Sequence, residues 1–447
     1  MHFTKQLLLY VSLLTTLVLS LFVKADDAPA ILSMKERAAF IDKITELRVN
    51  TLMPSLMKQH NTDMWLLISR EYNEDPILKT MLPATWLSAR RTTILLFALN
   101  KQGGVDAYAI APYKIGNVFK KGWDKQTQPS QWEALNTLIE QYKPRNIALN
   151  TSTDWAHADG LVLGDYKTLM ANLPAAYHNK IISAEPLAVS WLEQRIPKEV
   201  EMYKHIVAIA HSIIAEGFSG KTITVGETTS DDLVWWFRER VKELKLQTWF
   251  HPSIAIQRAD AKSFDHEESF TNGYDDNVIQ AGDLLHVDFG ITYLRLNTDT
   301  QQHAYVLKEN ETSAPSYLVE ALKSGNKLQD IFTNQFAEGK TGNEVLAAAR
   351  KAAIDQGLKP TIYTHPLGYH GHAAGTTLGM WDSQQGVPGD GDYPLHLNTA
   401  YSIELNNAVF IKQWNKEIRI MLEEDAIFDK SGVWYLNGRQ TQLLLVK

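Results

Sequence analysis

Short apolar runs and amphipathic stretches alternate along this chain and divide it into two parts. Met64-Trp65-Leu66-Leu67-Ile68 and Thr93-Ile94-Leu95-Leu96-Phe97-Ala98 have the length and content of buried strands. Ala107-Tyr108-Ala109-Ile110 and Asn146-Ile147-Ala148-Leu149 predict two more, and the periodicity from Trp132 to Tyr142 predicts a helix. From Met34 to about Glu185 the pattern reads as one α/β domain, with a boundary near Arg195-Ile196-Pro197-Lys198. Pro197 suits the first turn of a helix. Met202, Ile206, Ile209 and Ile213 then recur at helical spacing, so an amphipathic helix is expected there. A second helix, capped by Ser230, is expected to run through Trp236 to Leu244, and a third from Glu344 to Gln356 with Gly357 as its stop. Strand-like runs lie between and after these helices, which makes the carboxy-terminal part α+β.

The amino-terminal extreme has a different pattern. Lys5 precedes an apolar run that continues to Val23, and Val23-Lys24-Ala25 offers small or apolar residues at both positions a signal peptidase inspects. This predicts a secretory signal peptide cut after Ala25; an uncleaved membrane anchor is the alternative. Its removal takes away two lysines and shifts the formal charge from −7 to −9. So acidic a chain is a poor partner for nucleic acid. There is no cysteine, hence no disulfide and no lipid-attachment site, and export without disulfides favours a bacterial periplasm. At 447 residues, 45% apolar and 21% charged, the chain has the composition of a globular protein of more than one domain.

The candidate chemistry lies in the second part. Asp288 sits in Leu284-Leu285-His286-Val287-Asp288-Phe289-Gly290, where an unpaired charge is costly. Strand alternation puts Leu284, His286 and Asp288 on one face. Asp299 follows eleven residues later in Asn297-Thr298-Asp299-Thr300. Taken alone it reads as a turn residue, yet two antiparallel strands would set it beside Asp288, and like charges that close repel unless a cation intervenes. His365, His370 and His372 crowd one glycine- and alanine-rich loop, and His372 has the smallest neighbours, Gly371 and Ala373-Ala374-Gly375. Glu404 shares a strand face with Ser402 and Ala400, and Glu424 precedes Asp425-Ala426-Ile427-Phe428. Glu423 or Asp425 are alternatives to Glu424, and either glutamate alone reads as a surface residue on an edge strand. Four carboxylates and one imidazole would balance two divalent cations, the outline of a hydrolytic site.

With these five positions in order, the chain resembles the pita-bread metallopeptidases of the Xaa-Pro aminopeptidase, prolidase and creatinase branch. Gly282-Asp283-Leu284-Leu285-His286-Val287-Asp288-Phe289-Gly290 is similar to the family's first aspartate segment, with the second aspartate at the family's spacing of eleven. Gly371-His372-Ala373-Ala374-Gly375, Tyr401-Ser402-Ile403-Glu404-Leu405 and Glu424-Asp425-Ala426-Ile427-Phe428 resemble its histidine and glutamate motifs. Lys198-Glu199-Val200-Glu201-Met202 resembles the stretch that opens its catalytic domain. The resemblance implies a creatinase-type α/β domain over 26–190 and a pita-bread α+β domain over 198–447. It implies two divalent metals, Mn²⁺ first with Co²⁺, Fe²⁺ or Zn²⁺ as alternatives, held by Asp288, Asp299, His372, Glu404 and Glu424. Glu404 would also act as general base, and His266 would bind substrate. The activity implied is exopeptidase cleavage at the amino end of a peptide, by a homodimer or larger assembly. Two other readings of the same fold are a metal-independent creatinase-like amidinohydrolase and a non-catalytic binding protein.

Several family features are missing at their expected places. A second histidine usually follows the ligand histidine by seven residues, and seven residues after His372 stands Gly379. Trp381-Asp382 does not replace an imidazole; His365, His370 or His396 would have to supply it. Leu422 stands where an arginine is common, and Arg295-Leu296 and Leu405-Asn406 replace the usual Gly-Tyr and Pro-Gly. These departures leave proline specificity open.

Overall fold

In the first of two sheets, three strands form an antiparallel meander: β1 (Met64–Arg70), β2 (Thr92–Leu99) and β3 (Val105–Ile110). The short strands β4 (Lys120–Lys121), β5 (Ile147–Leu149) and β6 (Ile181–Ser183) join in parallel, giving the order β4-β3-β2-β1-β5-β6. The runs predicted as strands are buried on both faces. Trp65, Leu67, Leu95 and Phe97 pack into one core, and Leu66, Ile68, Ile94 and Leu96 into another with the helix Gln131–Tyr142. The computed structural model describes residues 29–260 and 277–447; the expected export signal lies outside them. Among the described residues, no helix is long and apolar enough to cross a membrane.

The helix Pro197–Gly217 opens at the proline, and the Glu199 carboxylate accepts the backbone N–H of Ile196 at 3.0 Å, one half of a capping box. The second expected helix spans Ser230–Glu243, but Thr229 rather than Ser230 is its cap: its hydroxyl accepts from Asp232 N while Asp232 reaches back to Thr229 N. The third spans Gly342–Asp355 behind Thr341, and Gly357 beyond it has a positive φ of 79°. The sequence pattern missed the helix Ser316–Thr333.

The second sheet is built from β7 (Ser253–Gln257), β8 (Leu284–Phe289), β11 (Thr300–Val306), β12 (Pro360–Ile362), β14 (Thr399–Ile411) and β15 (Lys416–Asp429), in the order β12-β14-β15-β11-β8-β7. Strands β13 (His365–Leu367), β16 (Gly432–Tyr435) and β17 (Leu444–Val446) pair with β14, β15 and β11. The small ribbon of β9 (Thr292–Tyr293) and β10 (Leu296–Asn297) turns the chain between β8 and β11.

Period-two alternation gives this sheet two unlike faces. Phe289 meets Phe237 of the helix Ser230–Glu243 at a centroid distance of 5.0 Å, and Ile403, Leu405, Ile420 and Leu422 pack with the helices Ser316–Thr333 and Gly342–Asp355. The opposite face carries the polar positions. The two parts of the chain are joined by a buried ion cluster. Arg48 donates to Glu199 at 2.6 Å and to the carbonyl of Gln194, and Arg195 also pairs with Glu199.

Candidate metal centre

Strand register assembles the site. Ser253 pairs with Asp288, Asp288 with Gln301, Gln301 with Glu423, and Glu423 with Glu404, so one transverse row crosses five strands from β7 to β14. Asp299, two residues before Gln301, shares its face. His365 opens β13 opposite Ser402, whose hydroxyl donates to Glu423. The result is a convergence of ligand atoms within 4.8 Å of one another in three overlapping groups: Asp288 with Asp299 and Glu423, His365 with Glu404 and Glu423, and Asp299 with His365 and His372.

This cluster is short of counter-charge. Asp288 Oδ1, Asp299 Oδ1 and His365 Nε2 are buried with no hydrogen-bond partner. Burial alone pushes Asp288 up to about 7. Burial, then Asp288, Glu404 and Asp425, raise Asp299 well above the usual carboxylate range. Burial, then Glu423 and Asp288, do the same to Glu404; burial, then Asp299 and Asp288, to Glu423. Burial, with His372 beside it, drives His365 down to about 3, so its ring is a neutral donor of a lone pair. Four carboxylates and a neutral imidazole, three of them with orphaned atoms, form a donor set that could hold divalent cations.

The surrounding groups hold the row in place. The Gln301 amide donates to Glu404 and to Glu423, at 2.9 Å for the latter, and its carbonyl oxygen lies 2.9 Å from His286 Nε2. Asp425, on the same face as Glu423, accepts the backbone N–H of Asp299 at 3.1 Å. Trp249 donates to the carbonyl of Thr298 at 2.9 Å and lies edge-on to His372, with ring centroids 5.2 Å apart. A cavity of about 850 Å³ opens over Asp288, Asp299, Glu404, His365 and His372. Trp155, Trp249, Phe250 and Trp381 give it aromatic walls.

A model of metallopeptidase family M24 matches residues 201–428, half of the chain, and contains every residue of the cluster. The chain belongs to metallopeptidase family M24. No curated protein matches the sequence at a significant level. Among solved structures, the chain is similar to an X-Pro aminopeptidase from Thermotoga maritima MSB8, at 16% identity and a TM-score of 0.60, covering 88% of this chain and 100% of the other. It is similar to a dipeptidase from Pyrococcus horikoshii OT3 at 16% identity and a TM-score of 0.55, covering 89% and 99%. It is also similar to an Xaa-Pro dipeptidase from Bacillus anthracis at 15% identity and a TM-score of 0.55, covering 92% and 100%. At these identities the likeness establishes the fold: a pita-bread catalytic part carried by an M24 chain.

Two of the expected ligands are placed differently by the strand geometry: Glu424 lies outside the cluster, and His372 lies at its edge. Glu424 does not reach the cluster. In register it opposes apolar Ile403, and its carboxylate is held by His211 Nε2 at 2.7 Å, Gln302 Nε2 at 3.1 Å and Gln440 N at 2.9 Å. Its neighbour Glu423, opposite Glu404, takes the place. His372 was expected among the carboxylates, but the imidazole between Glu404 and Glu423 is His365; His372 is an exposed ring beside it, with centroids 4.6 Å apart and within reach of Asp299. Were His365 the ligand, the histidine seven residues on would be His372, and Gly379 would no longer mark a departure.

Asp288, Asp299 and Glu404 lie together as the sequence suggested. His370 stacks on His157 just outside the cluster, with ring centroids 4.3 Å apart. His396 is bound to Glu193 at 2.7 Å and does not line the cavity, and Arg419 is turned to Asn406 at 3.1 Å. His266 lies outside the described residues. Sequence reasoning missed Gln301, Trp249 and His157. Alternation from Asp299 points to Gln301, whereas nothing local marks His157.

Proposed function

We propose that this M24 chain is a dinuclear metal-dependent exopeptidase that cleaves the amino-terminal bond of peptides, in the manner of Xaa-Pro aminopeptidases or prolidases. The observation that carries this reading is the row of Asp288, Glu423 and Glu404 with Asp299 and His365, in which buried Asp288 Oδ1, Asp299 Oδ1 and His365 Nε2 have no hydrogen-bond partner. Those five residues would hold the cations, with Mn²⁺ favoured by a mostly oxygen donor set and Co²⁺, Fe²⁺ or Zn²⁺ as alternatives. When bound, the cations supply Lewis-acid polarisation of the scissile carbonyl and a lowered pKa for the attacking water.

The protein's own groups do the rest. Glu404 faces the cavity, is steered by the Gln301 amide, and takes the proton of the attacking water. His372, exposed to the same cavity beside His365, donates a hydrogen bond to the oxygen that becomes negative in the tetrahedral intermediate. The peptide's free amino group is attracted by the surrounding carboxylates, which favours action at a chain end. Trp249, Phe250 and Trp381 offer apolar faces to the residue after the scissile bond, compatible with a proline ring. The export expectation joins this reading: periplasmic protein should begin at Asp26, and recovery of intact chain in membranes would replace the signal with an anchor. Assembly as a homodimer or larger is read by light scattering.

The test is elemental analysis of dialysed protein reloaded with Mn²⁺, paired with hydrolysis of Ala-Pro and Ala-Pro-Ala. About two metals per chain with metal-dependent cleavage is the expected result. Two metals without cleavage of either peptide would reject proline specificity. Failure to bind metal would reject the dinuclear reading and bring forward a creatinase-like or non-catalytic role.

A further inference from the structure

His157 reaches the metallopeptidase cavity from the other part of the chain. It lies in the short turn Ala156–Ala158, which follows β5 of the first sheet, yet it lines the cavity with His365, His372, Asp288 and Glu404. The turn is firmly held. Ser152 Oγ accepts the backbone N–H groups of Asp154 at 3.1 Å and Trp155 at 2.7 Å and donates to Glu185 at 2.6 Å. Trp155 is buried in the core of the first part and meets Tyr393 of the second edge-to-face, with centroids 5.6 Å apart; Ala158 is fully buried. A ring mounted on such a turn has little freedom to leave the cavity wall.

The ring also has a defined neighbour. It lies 4.3 Å, centroid to centroid, from His370, in the loop that carries His365 and His372. The Nδ1 atom of His370 is buried without a hydrogen-bond partner. The cavity wall carries His365 and, 4.6 Å from it, His372, and it also carries His157, which is backed by His370. Burial and the nearby His372 lower the pKa of His157, so its imidazole is neutral near pH 7, with one N–H donor and one acceptor nitrogen. A peptide unit offers the complementary acceptor and donor. One residue of extended peptide advances at most about 3.3–3.6 Å, so the unit that follows the scissile bond stays within the cavity whose wall carries both His372 and His157.

The geometry points to His157 as a substrate-positioning residue that accepts the N–H of the first peptide unit beyond the scissile bond, and so to peptides of three or more residues as the preferred substrates. This rests on the exopeptidase reading above. A dipeptide ends in a carboxylate at that place and has no N–H there to donate to the imidazole.

The test compares Mn²⁺-reloaded wild type with His157→Ala, His157→Phe and His157→Gln. Phenylalanine keeps a ring against His370 but cannot hydrogen-bond; glutamine keeps a donor and an acceptor. For Ala-Pro-Ala, KM should rise about three- to tenfold in the Ala and Phe variants, the worth of one neutral hydrogen bond, with kcat and metal content unchanged. Glutamine should restore much of it, and KM for Ala-Pro should not move. A parallel titration follows tryptophan fluorescence with a tripeptide whose scissile amide is reduced; weaker binding by the Ala and Phe variants alone is expected. Equal effects on dipeptide and tripeptide, or none on either, would overturn the proposal. If wild type cleaves neither peptide, the exopeptidase reading fails, and the titration decides the role of His157: equal affinity across all four proteins removes it.

Discussion

A single-residue shift along β15 separates a candidate metal ligand from a structural carboxylate. Glu423 and Glu424 are adjacent and alike in composition, but one faces Glu404 and the other faces His211, Gln302 and Gln440. Glu423→Ala should abolish binding of at least one metal and lower kcat/KM by about a thousandfold or more, a loss of roughly 4 kcal/mol in transition-state stabilisation. Glu424→Ala should keep both metals and most of the activity. It should lose about 1–3 kcal/mol of stability, because buried Gln302 and Gln440 and half-buried His211 lose their acceptor. Metal content and urea denaturation of the two variants decide the matter; metal loss on the Glu424 side would reverse the assignment. The histidines divide in the same way. His365→Ala should lose metal, whereas His372→Ala should retain it and lower kcat by about a hundredfold, the usual worth of one oxyanion donor. Sequence spacing could not separate these pairs. The aspartates were legible because a strict separation of eleven and an apolar strand fix their phase. The glutamate and histidine motifs each hold two candidates within reach, and only strand register chooses between them.

The elements carry the site by close approach of backbones, which explains both what the pattern revealed and what it hid. Strongly apolar runs gave β1, β2 and β3, and a regular stripe gave the helix Pro197–Gly217, because in each the buried face is made of large side chains. The helix Ser316–Thr333 went unseen because its buried face includes Ala321, Gly325, Asn326 and Gln329. A Cβ at Gly325 would stand 2.8 Å from Ile420 and 2.9 Å from Leu422, so the helix approaches β15 at the cost of its hydrophobic signal. The loop between His365 and His372 uses the same device. At Gly371 a Cβ would lie 2.4 Å from the ring of Trp249, which is anchored to the carbonyl before Asp299. Gly371→Ala should displace that ring and the loop together. Stability should fall by about 1–3 kcal/mol, as for other overpacked sites, and kcat should fall more than tenfold with metal still bound. Thermal melts and kcat measured on the reloaded variant test this; unchanged kcat would show that Trp249 does not position His372.

At the scale of the whole molecule, the charge balance of the site couples folding to metal and to pH. Burial raises Asp288 to about 7, and burial with repulsion from neighbouring carboxylates raises Asp299, Glu404 and Glu423 well above their ordinary values. A carboxyl with a raised folded pKa binds its proton more tightly folded than unfolded. The contribution of these groups is therefore most favourable at pH values below the ordinary carboxylate range. It is lost as pH rises through that range towards 7 and beyond, since the unfolded chain ionises first. Cations reverse this by taking the place of the protons, so their uptake releases protons and strengthens with pH. The metal-free chain should have a Tm on the order of 5 °C lower at pH 8 than at pH 6 from these groups. Mn²⁺ at about a hundred times Kd should add roughly 2.7 kcal/mol per site, raising Tm by about 6 °C at pH 8 and much less at pH 5. Calorimetry in two buffers of different ionisation enthalpy counts the protons released. The control is Glu423→Ala: with one buried acid gone, its metal-free Tm should fall less between pH 6 and pH 8 and its response to Mn²⁺ should shrink. A wild-type melt that ignores both pH and Mn²⁺ would mean that the carboxylate row is balanced by protein groups and holds no cations.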